Sequence, residues 1–248
     1  MIQVERTDFI AMPVTDLARA GAFYGETLGL ARNPESSGER WVEYETGNVT
    51  LALSMFGGTI AFRVSNVAEA RRALEEAGVE FAEETFDSGV CHGAPFTDPD
   101  GNQLLLHRRY APLEAWETPP IEVQRSDFAM VVTQDKDRAL RFYGETLGLE
   151  RQPNAHPDWP EFETGNLTIS VVDWEQIGRS EFEPNSGAVA LRVPDVAATR
   201  GRLEDSGVEF LGETMDSGVC HLAVLKDPDG NRLFVHRRYA PYPDGSTP

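Results

Sequence analysis

The chain has 248 residues, with 41 acidic and 22 basic side chains that give a formal net charge of -19 at pH 7. An acidic surface of this kind repels phosphate backbones, so we expect no nucleic-acid partner. Apolar residues make up 40% of the chain and charged residues 25%, a balance typical of globular rather than disordered proteins. No apolar run is long enough to cross a bilayer, and the N-terminal segment lacks the pattern of a signal peptide. We therefore expect no membrane partner and a cytoplasmic location.

In chain order, the sequence begins with a strand pattern over residues 8–14. A helix follows, which Thr15 or Asp16 can cap and which Gly29 ends. Two strand patterns follow at 40–45 and 49–55, joined by a Thr-Gly-Asn hairpin signal. These elements are the helix and three of the four strands of one βαβββ module. A second module follows with a strand at 59–64, a helix at 67–77, and strands near Val79, at 91–97 and at 102–107.

The sequence then repeats itself. Residues 23–30, FYGETLGL, recur unchanged at 142–149, and most positions of 84–112 recur at 213–241. The second copy carries extra residues near 174–186, which predict a surface loop. A proline-containing linker at 111–123 separates the copies, so we expect one domain over 1–117 and a second over 118–248.

Three motifs resemble the vicinal oxygen chelate superfamily, which includes glyoxalase I, fosfomycin-resistance proteins, extradiol dioxygenases and bleomycin-resistance proteins. They are Val14-Thr15-Asp16-Leu17, the FYGETLGL segment, and the DPDGN sequence at 98–102, of which the last two recur at 142–149 and 227–231. The resemblance implies an α+β fold with two tandem glyoxalase-like domains. Each domain is then made of two βαβββ modules whose strands form a cup-shaped sheet with the helices outside.

The same resemblance implies four metal-ligand positions in each domain, on the first and last strands of the modules. Carried over to this sequence, these positions are Phe9, Leu51, Thr59 and Leu105 in the first copy, and Phe128, Ile169, Ala188 and Phe234 in the second. Divalent cations need several N, O or S donors, which these side chains do not supply. We therefore expect neither a metal nor another cofactor, and we assign no catalytic residue.

Histidines are the most distinctive polar residues on the predicted inner face. Strand alternation places Arg63 with Thr59 and His107 with Leu105, and hairpin pairing predicts that His92 lies opposite His107. The second copy repeats the pattern with Arg192, His221 and His236. Repulsion within each pair predicts that at least one histidine stays neutral near pH 7. A structural role, ligand recognition, and catalysis or a displaced metal site all remain open for these pairs.

We favour metal-independent binding of a small apolar or aromatic, and possibly cationic, molecule in the cups, similar to bleomycin-resistance proteins. Phe9, Phe96, Phe128 and Phe234 are predicted to provide stacking surface, with histidine and arginine as polar anchors. One alternative is a glyoxalase, lyase or dioxygenase that uses a displaced metal site. Another is a regulatory or scaffold protein whose cups are filled by its own side chains. The protein is expected to be a monomer or a homodimer. Cys91 and Cys220 adjoin His92 and His221 but point to the opposite face of the strand, so they are weak indicators of a thiolate site.

Overall fold

The computed structural model describes residues 3–34, 38–112, 123–153, 158–177, 181–184, 188–226, 228 and 230–241. It contains two eight-stranded sheets, one for each sequence repeat, and four α-helices among these residues. The expected α+β fold, with the same arrangement of elements in each repeat, is confirmed. No helix of the described part of the chain is long and apolar enough to span a membrane.

The first sheet has the strand order β2-β3-β4-β1-β5-β8-β7-β6. Its strands are β1 (Arg6–Pro13), β2 (Ala31–Arg32), β3 (Trp41–Glu45), β4 (Thr50–Ser54), β5 (Thr59–Arg63), β6 (Phe86–Asp87), β7 (Cys91–Thr97) and β8 (Gln103–Arg109). β1 and β5 pair antiparallel, whereas β5 and β8 pair parallel. The chain between β5 and β8 includes helix α2 (Val67–Glu76), as a parallel crossover requires.

The second sheet repeats this topology with the order β10-β11-β12-β9-β13-β16-β15-β14. Its strands are β9 (Arg125–Thr133), β10 (Glu150–Arg151), β11 (Glu161–Glu163), β12 (Thr168–Asp173), β13 (Val189–Arg192), β14 (Phe210–Asp216), β15 (Cys220–Lys226) and β16 (Arg232–Arg238). The remaining helices are α1 (Leu17–Gly21), α3 (Lys136–Arg141) and α4 (Val196–Asp205). A 3-10 turn at Trp174–Ile177 begins the additional loop predicted at 174–186, of which residues 178–180 and 185–186 lie outside the described part.

Local sequence explains how the helices begin and end. Asp16 caps α1 by accepting hydrogen bonds from the backbone N–H groups of Ala18 and Arg19. The helix then continues as a π-helical turn at Ala22–Thr27, which buries Tyr24 completely against Tyr44. A Cβ atom at Gly25 would lie 3.3 Å from the Tyr44 ring, so glycine permits this close approach.

Helix packing distinguishes the two faces of each sheet. α2 packs on β7 and β8, where Phe96 contacts Phe81 with their ring centroids 5.5 Å apart. Phe96 pairs with Leu104 across β7 and β8, and Ile60 pairs with Leu104 across β5 and β8, so these three residues share the helix-covered face. We call the other face of these strands, and the equivalent face of β13, β15 and β16, the helix-free face.

Contacts between residues divide the chain into two compact units. Unit 1 comprises Met1–Ala11, Gly58–Ala115 and Ala129–Gly187, and unit 2 comprises Met12–Gly57, Trp116–Phe128 and Ala188–Pro248. Each unit thus combines part of the first repeat with part of the second. The domain boundary between residues 117 and 118, which follows the sequence repeat, stays a prediction.

The repeated motifs connect the two halves of each unit. In unit 1, Asp98 of the DPDGN sequence accepts hydrogen bonds from Asn102 and from the hydroxyl of the fully buried Tyr143. Burial raises the pKa of Asp98, against the lowering effect of these hydrogen bonds. The Asn102 side chain also donates to the Val132 carbonyl at 2.7 Å, and in unit 2 Asn231 donates to the Pro13 carbonyl at the same distance. The motif therefore has a structural role in joining the repeats.

Candidate active site

A buried cluster of Asp8, Arg63 and His107 lies on the helix-free face in unit 1. The His107 Nδ1–H donates to Asp8 Oδ2 at 2.6 Å, and Arg63 Nε lies 2.7 Å from Asp8 Oδ1. Asp8 is only 8% exposed, and its cationic partners, which also include Arg6 with its Nε atom 3.5 Å from Oδ1, compensate the cost of burying the carboxylate. Phe9 contacts the edge of the His107 ring, with centroids 5.3 Å apart.

An irregularity in β1 directs Asp8 toward this cluster. Thr7 pairs with Phe62 and Phe9 pairs with Ala61, so Asp8 is an extra residue in the strand. A β-bulge of this kind changes the direction of a side chain relative to strict alternation. Asp8 consequently reaches the same histidine as Phe9, although adjacent residues in a regular strand point to opposite faces.

Cys91 extends the cluster on the helix-free face. It pairs with Arg109 while Gly93 pairs with His107, so Cys91 is a diagonal, same-face neighbour of His107. Ser88 Oγ lies 3.1 Å from Cys91 Sγ, and the interaction with His107 lowers the pKa of the Cys91 thiol against the effect of burial. Because Asp8 occupies Nδ1 of His107, Nε2 is the ring nitrogen that remains for another partner. The result is a cysteine-histidine-aspartate array next to an arginine.

The electrostatics of this array favour an ion pair between thiolate and imidazolium. Burial opposes protonation of His107, but the hydrogen bonds and charges of Asp8 and Cys91 raise its pKa to about 9. For Cys91, burial alone would raise the pKa. Hydrogen bonds from His107 and Ser88, with the positive charges of His107 and Arg109, instead hold it below its ordinary value. Cys91 is a free, half-buried thiol.

Unit 2 contains the same array in the second repeat. His236 Nδ1–H donates to Asp127 Oδ2 at 2.6 Å, and Arg192 Nε lies 2.8 Å from Asp127 Oδ1. Cys220 pairs with Arg238 while Leu222 pairs with His236, which again makes the cysteine a diagonal neighbour of the histidine. Burial opposes protonation here too, yet Asp127 and Cys220 raise the pKa of His236 to about 9, and the pKa of Cys220 is lowered.

Residues next to the two arrays differ. In the first, Phe86 pairs with Gly93, whose missing side chain leaves room for the Phe86 ring. In the second, Met215 and Leu222 take these two positions. The Arg63 side chain is 32% exposed, whereas that of Arg192 is 12% exposed. The first array is therefore the more accessible at its arginine.

The prediction that His92 faces His107 is wrong by one residue. His92 pairs with Arg108 and points away from His107, and its Nε2 atom lies 3.4 Å from Asp87 Oδ2. The second repeat differs in the same way, because His221 pairs with Arg237 and lies near Asp216. We expected a neutral histidine in each pair because two histidines were predicted to face each other. They do not, since the partner of His107 is the Asp8 carboxylate.

Three further residues predicted to bind ligand lie on the helix-covered face and not on the predicted inner face. Phe96 lies on the helix-covered face, where it packs on Phe81. Leu51 pairs with Tyr44, whose hydroxyl donates to the Gly21 carbonyl of α1, so Leu51 also faces a helix. Ile169 pairs with Phe162, which contacts Tyr143, so Ile169 has the same orientation as Leu51. Side chains alternate with a period of two, so an error of one residue reverses the face.

The structure gathers most of the other predicted residues near the two arrays. In the first repeat, Phe9, Thr59, Arg63, Leu105 and His107 share the helix-free face through the pairing of β1, β5 and β8. In the second, Phe128 contacts both Phe234 and His236, Arg192 pairs with His236, and Ala188 is fully buried just before β13.

Sequence reasoning did not consider Asp8 and Asp127, and it placed Cys91 and Cys220 on the wrong face of their strands. Two signals for them are present. Both repeats carry an Arg-x-Asp-Phe sequence at the start of the first strand, and both place the cysteine at the same spacing before the histidine.

The donor set does not fit the divalent metal that the resemblance implies. Leu51 and Ile169 face helices, and the other carried-over positions hold only Phe, Thr, Leu or Ala. On β3, Glu43 accepts a hydrogen bond from Trp41 and Glu45 accepts one from Thr50. Within the described ranges, no group of three or more His, Cys, Asp or Glu side chains is arranged to hold a metal ion.

Comparison with known proteins agrees with the fold. A probable lactoylglutathione lyase from Vibrio parahaemolyticus serotype O3:K6 (strain RIMD 2210633) is 24% identical over 41% of this chain and 81% of its own length. The uncharacterized protein YetH from Bacillus subtilis (strain 168) is also 24% identical, over 42% of this chain and 91% of its own.

Solved structures with the same fold span the whole chain. A Mn(II)-bound glyoxalase from Novosphingobium aromaticivorans superposes with a TM-score of 0.68 at 14% identity, covering 100% of this chain and 91% of the other. Homoprotocatechuate 2,3-dioxygenase from Brevibacterium fuscum, in complex with 3,4-dihydroxyphenylacetate, gives a TM-score of 0.70 at 18% identity over 99% and 85%. The profile of one sequence family matches twice, at residues 6–106 and 125–235. The chain therefore belongs to the Glyoxalase/Bleomycin resistance protein/Dioxygenase superfamily.

Proposed function

We propose that each repeat binds a small organic molecule on its helix-free face, beside the Asp-His-Arg cluster and without a metal ion. The ligand has an apolar or aromatic body and an oxygen atom that accepts hydrogen bonds. The observation that carries the proposal is the recurrence of Asp8, Arg63 and His107 beside Phe9 as Asp127, Arg192 and His236 beside Phe128.

Local charge determines which polar group suits the site. Asp8 is one carboxylate between the Arg63 guanidinium and a histidine whose pKa is raised, against the effect of burial, to about 9. With His107 protonated at neutral pH, these three groups carry a net positive charge. A carbonyl or carboxylate oxygen is therefore a better partner than the cation that the acidic overall composition suggested.

The apolar part of the ligand is recognised by the residues around each cluster. Phe9 lies edge-on to His107, and the Phe86 ring covers Gly93 on the same face. In the second repeat, Phe128 and Phe234 lie 5.6 Å apart beside His236. Both surroundings combine aromatic area with a few polar groups, as small-molecule sites commonly do. We expect two binding sites of unequal affinity, because the flanking residues and the exposure of the arginines differ.

Calorimetry on protein treated with a chelator tests the proposal, with benzoate, 4-hydroxybenzoate and benzaldehyde as probes. Arg63→Gln is expected to weaken binding at the first site by about tenfold, since a charged hydrogen-bond donor contributes about 1.5 to 3 kcal/mol. Arg192→Gln should act in the same way on the second site. Arg108→Gln is the matched control, because Arg108 is adjacent to His107, points to the other face and pairs with Glu5 at 2.9 Å.

Two outcomes contradict the proposal. If the probes bind only after Mn(II), Fe(II) or Zn(II) is added, a glyoxalase-like or dioxygenase-like enzyme with a displaced metal site is the better description. If none of the probes binds with or without these metals, the regulatory or scaffold alternative replaces ligand binding.

A further inference from the structure

We infer that Cys91 and Cys220 are nucleophiles that reversibly bind the carbonyl carbon of an aldehyde held at the proposed ligand site. The inference rests on the proposed function, because it assumes that a carbonyl compound occupies the helix-free face. It adds a covalent step and assigns both cysteines a role. It also names the substrate class, which is small aldehydes with an apolar or aromatic substituent.

The arrangement of side chains has the three parts that an activated thiol needs. Cys91 is a diagonal, same-face neighbour of His107, and His107 is oriented by a hydrogen bond of 2.6 Å to Asp8. A base next to a nucleophile, with a third group that fixes the orientation of the base, is the general pattern of activated nucleophiles. The diagonal pairing of β7 and β8 holds the two side chains on one face, so the contact does not depend on a loop.

Burial disfavours the charged form of the Cys91 thiol, whereas the polar and basic groups around it favour that form. Ser88, from the turn between β6 and β7, contacts Cys91 Sγ. On β8, Arg109 lies directly opposite Cys91, and His107 is its diagonal neighbour. Behind His107 stand Asp8 on β1 and Arg63 on β5. The pKa of Cys91 is accordingly lowered and that of His107 is raised to about 9, which stabilises the thiolate and imidazolium together.

The same array persists in the second repeat although its surroundings have changed. Cys220, His236 and Asp127 keep their contacts, and Ser217 Oγ lies 3.1 Å from Cys220 Sγ. By contrast, Gly93 corresponds to Leu222, Phe86 to Met215 and Leu105 to Phe234. Residues that would contact the body of a ligand thus differ between the sites, while the groups that would perform the chemistry are the same.

The proposed step is balanced without a further reactant. The thiolate of Cys91 adds to the aldehyde carbon and forms a C–S bond, while the π electrons of the carbonyl move to its oxygen. That oxygen takes the proton from Nε2 of His107, which leaves a neutral imidazole whose Nδ1–H still donates to Asp8. The product is a protein-bound hemithioacetal. Reversal of the same steps releases the aldehyde unchanged.

Alkylation by iodoacetamide, followed by peptide mass spectrometry, measures the reactivity of each thiol as a function of pH. We expect the midpoint of alkylation at both cysteines to lie below that of an ordinary thiol. Asp8→Asn should raise the midpoint for Cys91 only and slow its alkylation at pH 6.5 by about tenfold. His107→Gln is the second variant for this site, in case Asp8→Asn does not fold. His92→Gln is the matched control, because His92 is the next residue but faces Asp87 on the other side of the strand. An ordinary midpoint in the wild-type protein would overturn the inference.

The covalent step itself is observed by 13C NMR with benzaldehyde labelled at the carbonyl carbon. We expect the bound carbon to change from the sp2 to the sp3 region, with one such signal lost in Cys91→Ser and the other in Cys220→Ser. Benzoate, which cannot form the adduct, reports ligand binding separately from the covalent step, and it should bind to the control variant His92→Gln as it does to the wild type. Benzoate binding without any sp3 signal would refute the nucleophile and retain the proposed function. Failure of both probes to bind would refute the two together.

Discussion

Stability between pH 6.5 and pH 9 depends on the two buried Asp-His pairs. His107 and His236 each have a pKa of about 9 in the folded protein, where burial is outweighed by the partner carboxylate and thiol, against an ordinary value of 6.5. The two values differ by about 2.5, and each pH unit corresponds to about 1.4 kcal/mol. Each protonated histidine therefore stabilises the fold by up to about 3 kcal/mol, a large part of the usual free energy of unfolding.

The sign of the pH effect follows from the raised histidine pKa. The stabilisation is complete below pH 6.5 and is lost as the pH rises through about 9. The cysteines act in the opposite direction. Because the pKa of each thiol is lower in the folded protein than in the unfolded chain, the thiols stabilise the fold at a pH above their unfolded pKa. This stabilisation is lost as the pH falls through their folded pKa. The double variant Cys91→Ser/Cys220→Ser removes this opposing contribution and isolates the Asp-His pairs.

Urea denaturation at pH 6 and pH 9.5, followed by tryptophan fluorescence, measures the difference. In the Cys91→Ser/Cys220→Ser background we expect the free energy of unfolding to decrease toward the higher pH. The decrease should be smaller than about 3 kcal/mol for each Asp-His pair, because the thiols also contribute to the raised histidine pKa. Adding Asp8→Asn and Asp127→Asn should remove most of this decrease. Comparing the variants with and without these two substitutions also corrects for the other groups that titrate in this range. Equal pH dependence with and without the two carboxylates would refute the argument that these pairs control stability.

Two further substitutions test the packing around the repeats. Gly47→Ala should destabilise the protein by more than Gly57→Ala. Both glycines have positive φ (92° and 108°), but a Cβ atom at residue 47 would lie 2.7 Å from the Gln124 carbonyl oxygen, whereas one at residue 57 would have nothing within 4 Å. Equal losses of melting temperature in the two variants would contradict this reasoning. Tyr143→Phe should cost about 1 to 3 kcal/mol in urea denaturation, because the Tyr143 hydroxyl donates to the buried Asp98 carboxylate at 2.9 Å. An unchanged free energy of unfolding would show that Asp98 does not need this donor.

Repetition and short-range pattern were sufficient to predict most of the architecture. In the two copies of FYGETLGL, the next-to-last residues Gly29 and Gly148 both have positive φ, as expected just after the end of a helix. The Thr-Gly-Asn signal at 46–48 does lie between β3 and β4. These features depend on residues close together in the chain, so the sequence alone contains the information that specifies them.

Long-range relations account for the errors in the site. The sequence placed His107 and Arg63 on one face, but strict alternation gave no reason to bring Asp8 to them, because the bulge in β1 arises from its pairing with β5. Likewise, the offset between β7 and β8 differs by one residue from the predicted register, and this difference replaces His92 by Cys91 as the same-face neighbour of His107.

The sequence by itself thus determined the tandem repeat, the order of the helices and of the longer strands, and the lack of strong donors at the carried-over metal positions. Only the tertiary structure decided that each compact unit combines parts of both repeats, and that an aspartate, a histidine and a cysteine from three different strands meet on one face. The physical reason is that local propensity specifies elements along the chain. The partners of a buried charge, in contrast, depend on strand register and bulges, which are set when distant segments pair.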